Sequence, residues 1–240
     1  MTFPQILIFL AAVFTGSTIQ AVSGFGFGIF VMTIFPYILP SATCATLSAM
    51  LSLTSSITLS IRLRRLCNYR RILPPLLTYF VFSFVAVSLS ASSPDKLLKR
   101  CLAVVLILLG IYFIWFSRRL RIKPTVGIGL AAGALSGVLG GFFSMGGPPI
   151  VLYLVNASED NDHYIADIQT YFAITGLYTT TVRAANGLLT ATVLTWWAIG
   201  VAAMLLGVVT GRALFHRLDP LMLKRIVYLY MAVSGVLMLF

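Results

Sequence analysis

The sequence predicts an all-α polytopic membrane protein built as two pseudo-symmetric halves of four hydrophobic segments, with segments one and five broken or re-entrant and the halves related as inverted repeats. Three observations carry that expectation. Of 240 residues, 59% are hydrophobic and only 10% are charged, so almost every stretch between the arginine clusters suits hydrocarbon rather than water. The apolar runs recur at the length of roughly 20 residues that a bilayer-crossing helix requires. Short motifs of the first half also reappear, in the same order, in the second.

Segment one covers about residues 3–39 and is long and interrupted. Its apolar start is not preceded by a positive n-region, so it is expected to stay in the mature chain rather than be removed as a signal peptide. Segments two to four follow at about 43–61, 72–91 and 97–117. Segment five, about 124–155, is again long and interrupted, and 164–182, 190–211 and 221–240 complete the second half. The organisation is thus a first transmembrane repeat at 1–117, a basic cytoplasmic linker at 118–123 and a second repeat at 124–240. Tyr112, Trp115, Phe116, Trp196 and Trp197 fit interfacial aromatic anchors.

The repeat rests on ordered matches. Ala21-Val22-Ser23-Gly24 and Gly28 align with Ala134-Leu135-Ser136-Gly137 and Gly141, and Leu98-Lys99-Arg100 and Gly110 with Leu223-Lys224-Arg225 and Gly235. Arg65 and Asn68 correspond to Arg183 and Asn186. Duplication of this kind is the mark of secondary transporters, whose substrate sits near the midplane between the repeats.

The formal charge of +11 comes from clusters in short loops, the pattern of cytoplasmic loops rather than of a nucleic-acid surface. If segments one and five cross fully, the two sides carry ten and seven basic residues. If each dips in and returns as two half-helices, the division becomes thirteen against four. The positive-inside bias favours the second arrangement, which inverts the halves and places the carboxy terminus outside. The clusters at Arg62, Arg64, Arg65, Arg70 and Arg71 and at Arg118, Arg119, Arg121 and Lys123 then need no role beyond topology and anionic headgroups.

The two breaks read Gln20-Ala21-Val22-Ser23-Gly24-Phe25-Gly26-Phe27-Gly28 and Ser136-Gly137-Val138-Leu139-Gly140-Gly141-Phe142-Phe143-Ser144-Met145-Gly146-Gly147-Pro148-Pro149. Each interior glycine costs a helix about 1 kcal/mol and each proline about 3, so neither stretch suits an uninterrupted span. Unwound backbone at membrane depth requires protein or a watered cavity around it. A half-helix starting at Pro148 and Pro149, which suit a first turn, would aim unpaired N–H groups and a positive dipole end at that cavity. Such an end receives a small anion without any lysine. The glycines let a ligand approach the main chain, and Ser23, Ser136 and Ser144 offer hydroxyl donors. Packing of small residues between helices is the alternative use of the same glycines.

Gln20, Gln169 and Arg183 are polar groups in or beside apolar runs. Arg183 is either a site residue or a helix-end residue reaching the interface. His163 and Asp167 are the candidates for proton coupling. Cys44, Cys67 and Cys101 form no CxxC and lie beside no histidine, so neither a metal nor a redox pair is indicated. The chain lacks the paired nucleophile and base of an enzyme, and no cofactor is expected. A cation transporter or channel would want acidic residues within spans, where only Asp167 is available.

These motifs resemble the sulfite exporter TauE/SafE family, also described as toluenesulfonate uptake permeases. The resemblance rests on residues 21–28 and 134–141 with Gly146-Gly147-Pro148-Pro149, and extends over the whole chain. It implies a prokaryotic inner-membrane, multi-pass transporter of sulfite, sulfonates or related anions, with stretches 23–28 and 136–149 along the substrate path. Phe25 and Phe27 stand where the family commonly has an unbroken glycine run, which reshapes the site. The expected function is secondary transport of a small sulfur oxyanion by alternating access, driven by the membrane potential or by proton or sodium coupling. The expected binding residues are Gln20, Ser23, Gly24, Gly26, Gly28, Ser136, Gly137, Gly140, Gly141, Ser144, Gly146, Gly147, Pro148 and Arg183.

Overall fold

A computed structural model describes residues 3–115, 123–214 and 234–236 of the chain. Linker residues Arg118, Arg119 and Arg121 and most of the eighth apolar segment, 221–240, lie outside the described residues. The described residues form nine α-helices and no strand. Segment one gives α1 (Phe3–Ser23), the short α2 (Phe27–Val31) and a 3-10 turn (Phe35–Tyr37). α3 (Ser41–Leu63), α4 (Tyr69–Ser92) and α5 (Asp95–Trp115) follow. Segment five gives α6 (Val126–Phe143) and α7 (Gly147–Ala157), and the chain continues through α8 (Asn161–Ala185) and α9 (Ala191–Leu214).

Side-chain caps set several of these boundaries. The Asn68 side chain accepts from the Arg70 N–H at the start of α4, Thr125 accepts from Ile128 at α6, and Asp160 accepts from His163 at α8. Each satisfies one of the four donors that a helix start leaves unpaired. Asp95 does the same at a distance: its carboxylate accepts from the Ser41 N–H at 2.6 Å, tying the start of α5 to the start of α3.

Five of the helices, α1, α3, α4, α6 and α9, are long and apolar enough to cross a membrane. Large apolar side chains such as Leu73, Leu77, Val81 and Phe84 on α4 and Leu205, Leu206 and Val209 on α9 point outward, as a lipid-facing surface demands. α8 is as long but differs in kind: its buried face carries Asp167, Gln169, Thr170, Thr175, Thr179 and Arg183. Such a face is tolerable only when other helices surround it.

Interhelical contacts fix the directions. Gly129, Gly133, Gly137 and Gly141 of α6 lie successively against Pro74, Pro75, Tyr79 and Ala86 of α4, so α6 and α4 run in the same direction. Gly200, Gly207 and Gly211 of α9 lie against Phe9, Phe14 and Ala21 of α1, and this pair is parallel as well. α3 and α8 are antiparallel, with Thr46 meeting Arg183, Leu53 meeting Gly176, and Ser60 meeting Thr170. The first helix of each half therefore docks on a helix of the other half. Gly235 packs on α5 at Ala103 and Ile107.

The four-residue glycine spacing on α6 makes a seam along which the two backbones nearly touch. A Cβ at Gly133 would lie 2.1 Å from the Pro75 carbonyl oxygen, whereas one at Gly127 would meet nothing within 4 Å. Gly133→Ala is accordingly expected to destabilise by about 2 kcal/mol through overpacking. Gly127→Ala should leave the thermal unfolding midpoint in detergent unchanged, and equal midpoints for both variants would contradict the seam.

Candidate functional site

Both interrupted segments reverse direction. After α1, Gly24 at φ 81° and Gly26 at φ 104° turn the chain, a conformation that glycine adopts without strain. α2 then runs back along α1, with Phe27 and Val31 beside Gly16. After α6, Ser144 takes the left-handed conformation at φ 57°, its N–H donates to the Gly140 carbonyl, and the Met145 N–H donates to Leu139. These bonds satisfy the last carbonyls of the helix. α7 returns along α6, with Gly146 beside Ser136 and Tyr153 beside Gly129. The arms are unequal rather than paired half-helices: α1 and α6 have 21 and 18 residues, against 5 and 11 for α2 and α7. In both segments the reversal, at Gly24–Gly26 and at Ser144, falls past the middle of the apolar run, so the outgoing arm is the longer.

The two tips meet. A Cβ at Gly28 would lie 2.1 Å from the Ser144 carbonyl oxygen, and Gly147 faces the Phe25 ring. Beside this junction opens a cleft of about 600 Å³, counting its mouth. Eight of the expected residues line it: Gln20, Gly26, Gly28, Ser136, Gly140, Ser144, Gly146 and Gly147. The opposite wall comes from Ser52 on α3, Tyr79 on α4, and Phe172, Thr175 and Thr179 on α8. No acidic or basic side chain lines it among the described residues.

The polar groups divide into committed and available. Ser136 Oγ donates to the Gly146 carbonyl at 2.7 Å and accepts from the Tyr171 hydroxyl at 3.1 Å. Ser144 Oγ donates to the Ala45 carbonyl at 2.6 Å, and Tyr79 and Thr179 share a hydrogen bond of 2.9 Å. Gln20 Nε2 donates to Ser56 Oγ at 3.2 Å, while its buried Oε1 has no partner. α7 starts with Gly147 and Pro148 and has no side-chain cap, so its N-terminal end opens onto the cleft unneutralised.

The remaining expected residues sit elsewhere. Gly137 and Gly141 belong to the seam with α4, and a Cβ on either would reach α4 atoms within 3 Å. Ser23 is held by the Ile19 and Phe25 carbonyls, and Gly24 packs under Ile165 and Ile168 with its own carbonyl accepting from Gln169. Pro148 is buried in the first turn of α7. Arg183 is completely buried one turn beyond Thr179, with Nη2 donating to the Gly141 carbonyl at 2.5 Å and Nη1 to Thr46 Oγ1 at 3.4 Å. Sequence reasoning missed Ser52, Tyr79, Thr175 and Thr179. A signal existed for the last two, because Tyr171, Thr175, Thr179 and Arg183 repeat every four residues and form one buried stripe on α8.

The coupling candidates take structural positions. His163 Nδ1 lies 2.9 Å from the Asp160 carboxylate at the start of α8. Asp167 is fully buried and accepts from the Asn68 N–H at 2.7 Å, Ser158 Oγ at 3.0 Å and Arg71 Nη1 at 3.3 Å. Arg71 also pairs with Glu159. One carboxylate thus joins α8 to the start of α4 and the end of α7. Asp167→Ala leaves Arg71 without its buried partner and is expected to cost about 3 kcal/mol, read as a lowered unfolding midpoint. An unchanged midpoint would show that this junction carries no stability. The three cysteines are free, and no cluster of metal-ligating side chains occurs among the described residues.

No curated protein and no solved structure matches the chain. The family profile described as sulfite exporter TauE/SafE matches residues 8–238, nearly the full length and both hairpins. By that match this multi-pass membrane protein belongs to the TauE/SafE sulfite exporter family.

Proposed function

We propose that this chain is a secondary transporter of a small sulfur oxyanion, sulfite or a sulfonate, that binds it in the cleft between the two hairpin tips. The observation that carries the reading is the uncapped α7 N-terminus opening onto a cleft that no carboxylate lines. The negative end of α6, which also reaches the junction, is partly offset: Leu139, Gly140 and Gly141 carbonyls accept from Met145, Ser144 and Arg183. The positive end of α7 favours an anion. Gln20 Nε2, which has a second N–H beyond its bond to Ser56, and the Ser52 hydroxyl are the side-chain donors to the bound oxyanion. A cation reading would need acidic ligands, and the one buried carboxylate among the described residues, Asp167, is already met by three donors.

Alternating access follows from the architecture under this reading. The repeats at 1–117 and 124–240 act as an inverted pair in the inner membrane, joined by the linker at 118–123, and rock about the shared cleft. The antiparallel packing of α3 on α8 and the reciprocal docking of α1 on α9 and α6 on α4 support inversion. With an inside-negative potential, an exported monoanion gains about 2.3 kcal/mol per 100 mV. Export then needs no coupled ion, whereas uptake draws on a proton or sodium gradient.

Radiolabelled sulfite flux in proteoliposomes tests the reading. Wild-type protein is expected to move sulfite, and Gln20→Met to slow it about tenfold, the loss of one buried polar contact worth about 1.4 kcal/mol. Wild-type flux no greater than that of empty liposomes would refute it. A reporter fused after Phe240 is expected on the outside, and a cytoplasmic signal there would refute inversion.

A further inference from the structure

Two charged side chains are fully buried among the described residues, Asp167 and Arg183, and they are treated very differently. Asp167 has a cation and two neutral donors. Among the described residues Arg183 has no carboxylate within salt-bridge distance and reaches only neutral acceptors, the Gly141 carbonyl and the Thr46 hydroxyl, while its buried Nε has no partner. A guanidinium carries five N–H donors and keeps its charge. Burying it without a counter-charge is costly, and a bound anion relieves that cost.

The position of Arg183 says which anion. It follows Thr179 by one turn on the buried stripe of α8, and its acceptor Gly141 is the neighbour of the cleft residue Gly140. Tyr79 and Thr179, both of the cleft wall, share a hydrogen bond, and Thr179 precedes Arg183 by one turn of α8. We propose that Arg183 is a second seat for the transported oxyanion, reached from the cleft when the Tyr79–Thr179 bond opens. The free Nε edge presents N–H groups in the fork that two oxygens of one oxyanion match. An ion leaving the α7 N-terminus then passes to a charge one helical turn beyond Thr179 on α8 instead of to apolar side chains. This rests on the transport reading above.

The test uses purified full-length protein, measuring [35S]sulfite binding in detergent and flux in proteoliposomes for wild type, Arg183→Gln and Arg183→Lys. Arg183→Gln is expected to lower flux about tenfold while the dissociation constant changes by less than about threefold, because the cleft still binds but the onward step is lost. Arg183→Lys, which keeps charge without the fork, should fall between. Folded Arg183→Gln with wild-type flux makes Arg183 a cap on α6 only, and joint loss of binding and flux makes cleft and arginine a single site. Either result overturns the second seat. If Arg183→Gln does not fold, Tyr79→Phe decides: removal of the barrier bond should raise flux about twofold or more, and unchanged or reduced flux overturns the proposal. Absence of wild-type flux sinks the transport reading itself, whereas wild-type flux with any of the contrary variant results sinks only the second seat.

Discussion

Everything at the centre of this molecule depends on one backbone contact, the approach of Gly28 to the carbonyl of Ser144. Two chain reversals come from different parts of the sequence and converge where no side chain fits between them. Because main chain meets main chain, the polar groups of the unwound residues are answered within protein or within the cleft, the condition for irregular backbone at membrane depth. The same contact decides what the site is made of. Its chemistry is peptide dipoles, hydroxyls and one amide, and among the described residues no charged side chain lines it.

The breaks, their place in the chain and the start of α7 at Gly147 and Pro148 were legible in sequence, because glycine and proline act through local backbone energetics that need no tertiary knowledge. The bounds of α3, α4, α5, α8 and α9 were legible to within a few residues from the apolar runs, whereas the unequal arms of the hairpins were not. The division of labour among the glycines was not. Gly140 and Gly141 are neighbours with identical propensity, yet one faces the cleft and the other α4, a difference of about 100° of helical rotation that only packing fixes. Ser23, Ser136 and Ser144 all read as free donors. In the fold the Ser23 and Ser136 hydroxyls hold the reversals they belong to, and that of Ser144 ties its reversal to Ala45 of α3.

The polar face of α8 shows the reverse case, in which the pattern was present and its meaning depended on surroundings. Residues 171, 175, 179 and 183 share a face at helical spacing, but a polar stripe in a membrane helix equally suits an interhelical hydrogen-bond seam. The packing of α3 and α4 against it decides between these uses, leaving Thr175 and Thr179 on the cleft wall and Arg183 beyond it. Asp167, on the same helix, became a structural junction because Arg71 and the Asn68 N–H come within reach.

The crossed docking of α1 on α9 and α6 on α4 also bears on how the chain is made. α1 is made before its partner: Gly207 and Gly211, which fill its partner face, are translated about 190 residues later. Until then the Ser17 and Ala21 face has only lipid or transient neighbours. α4 waits in the same way for the glycine seam of α6. Neither half completes its own packing, so the native core forms only when both halves are in the bilayer and close on each other.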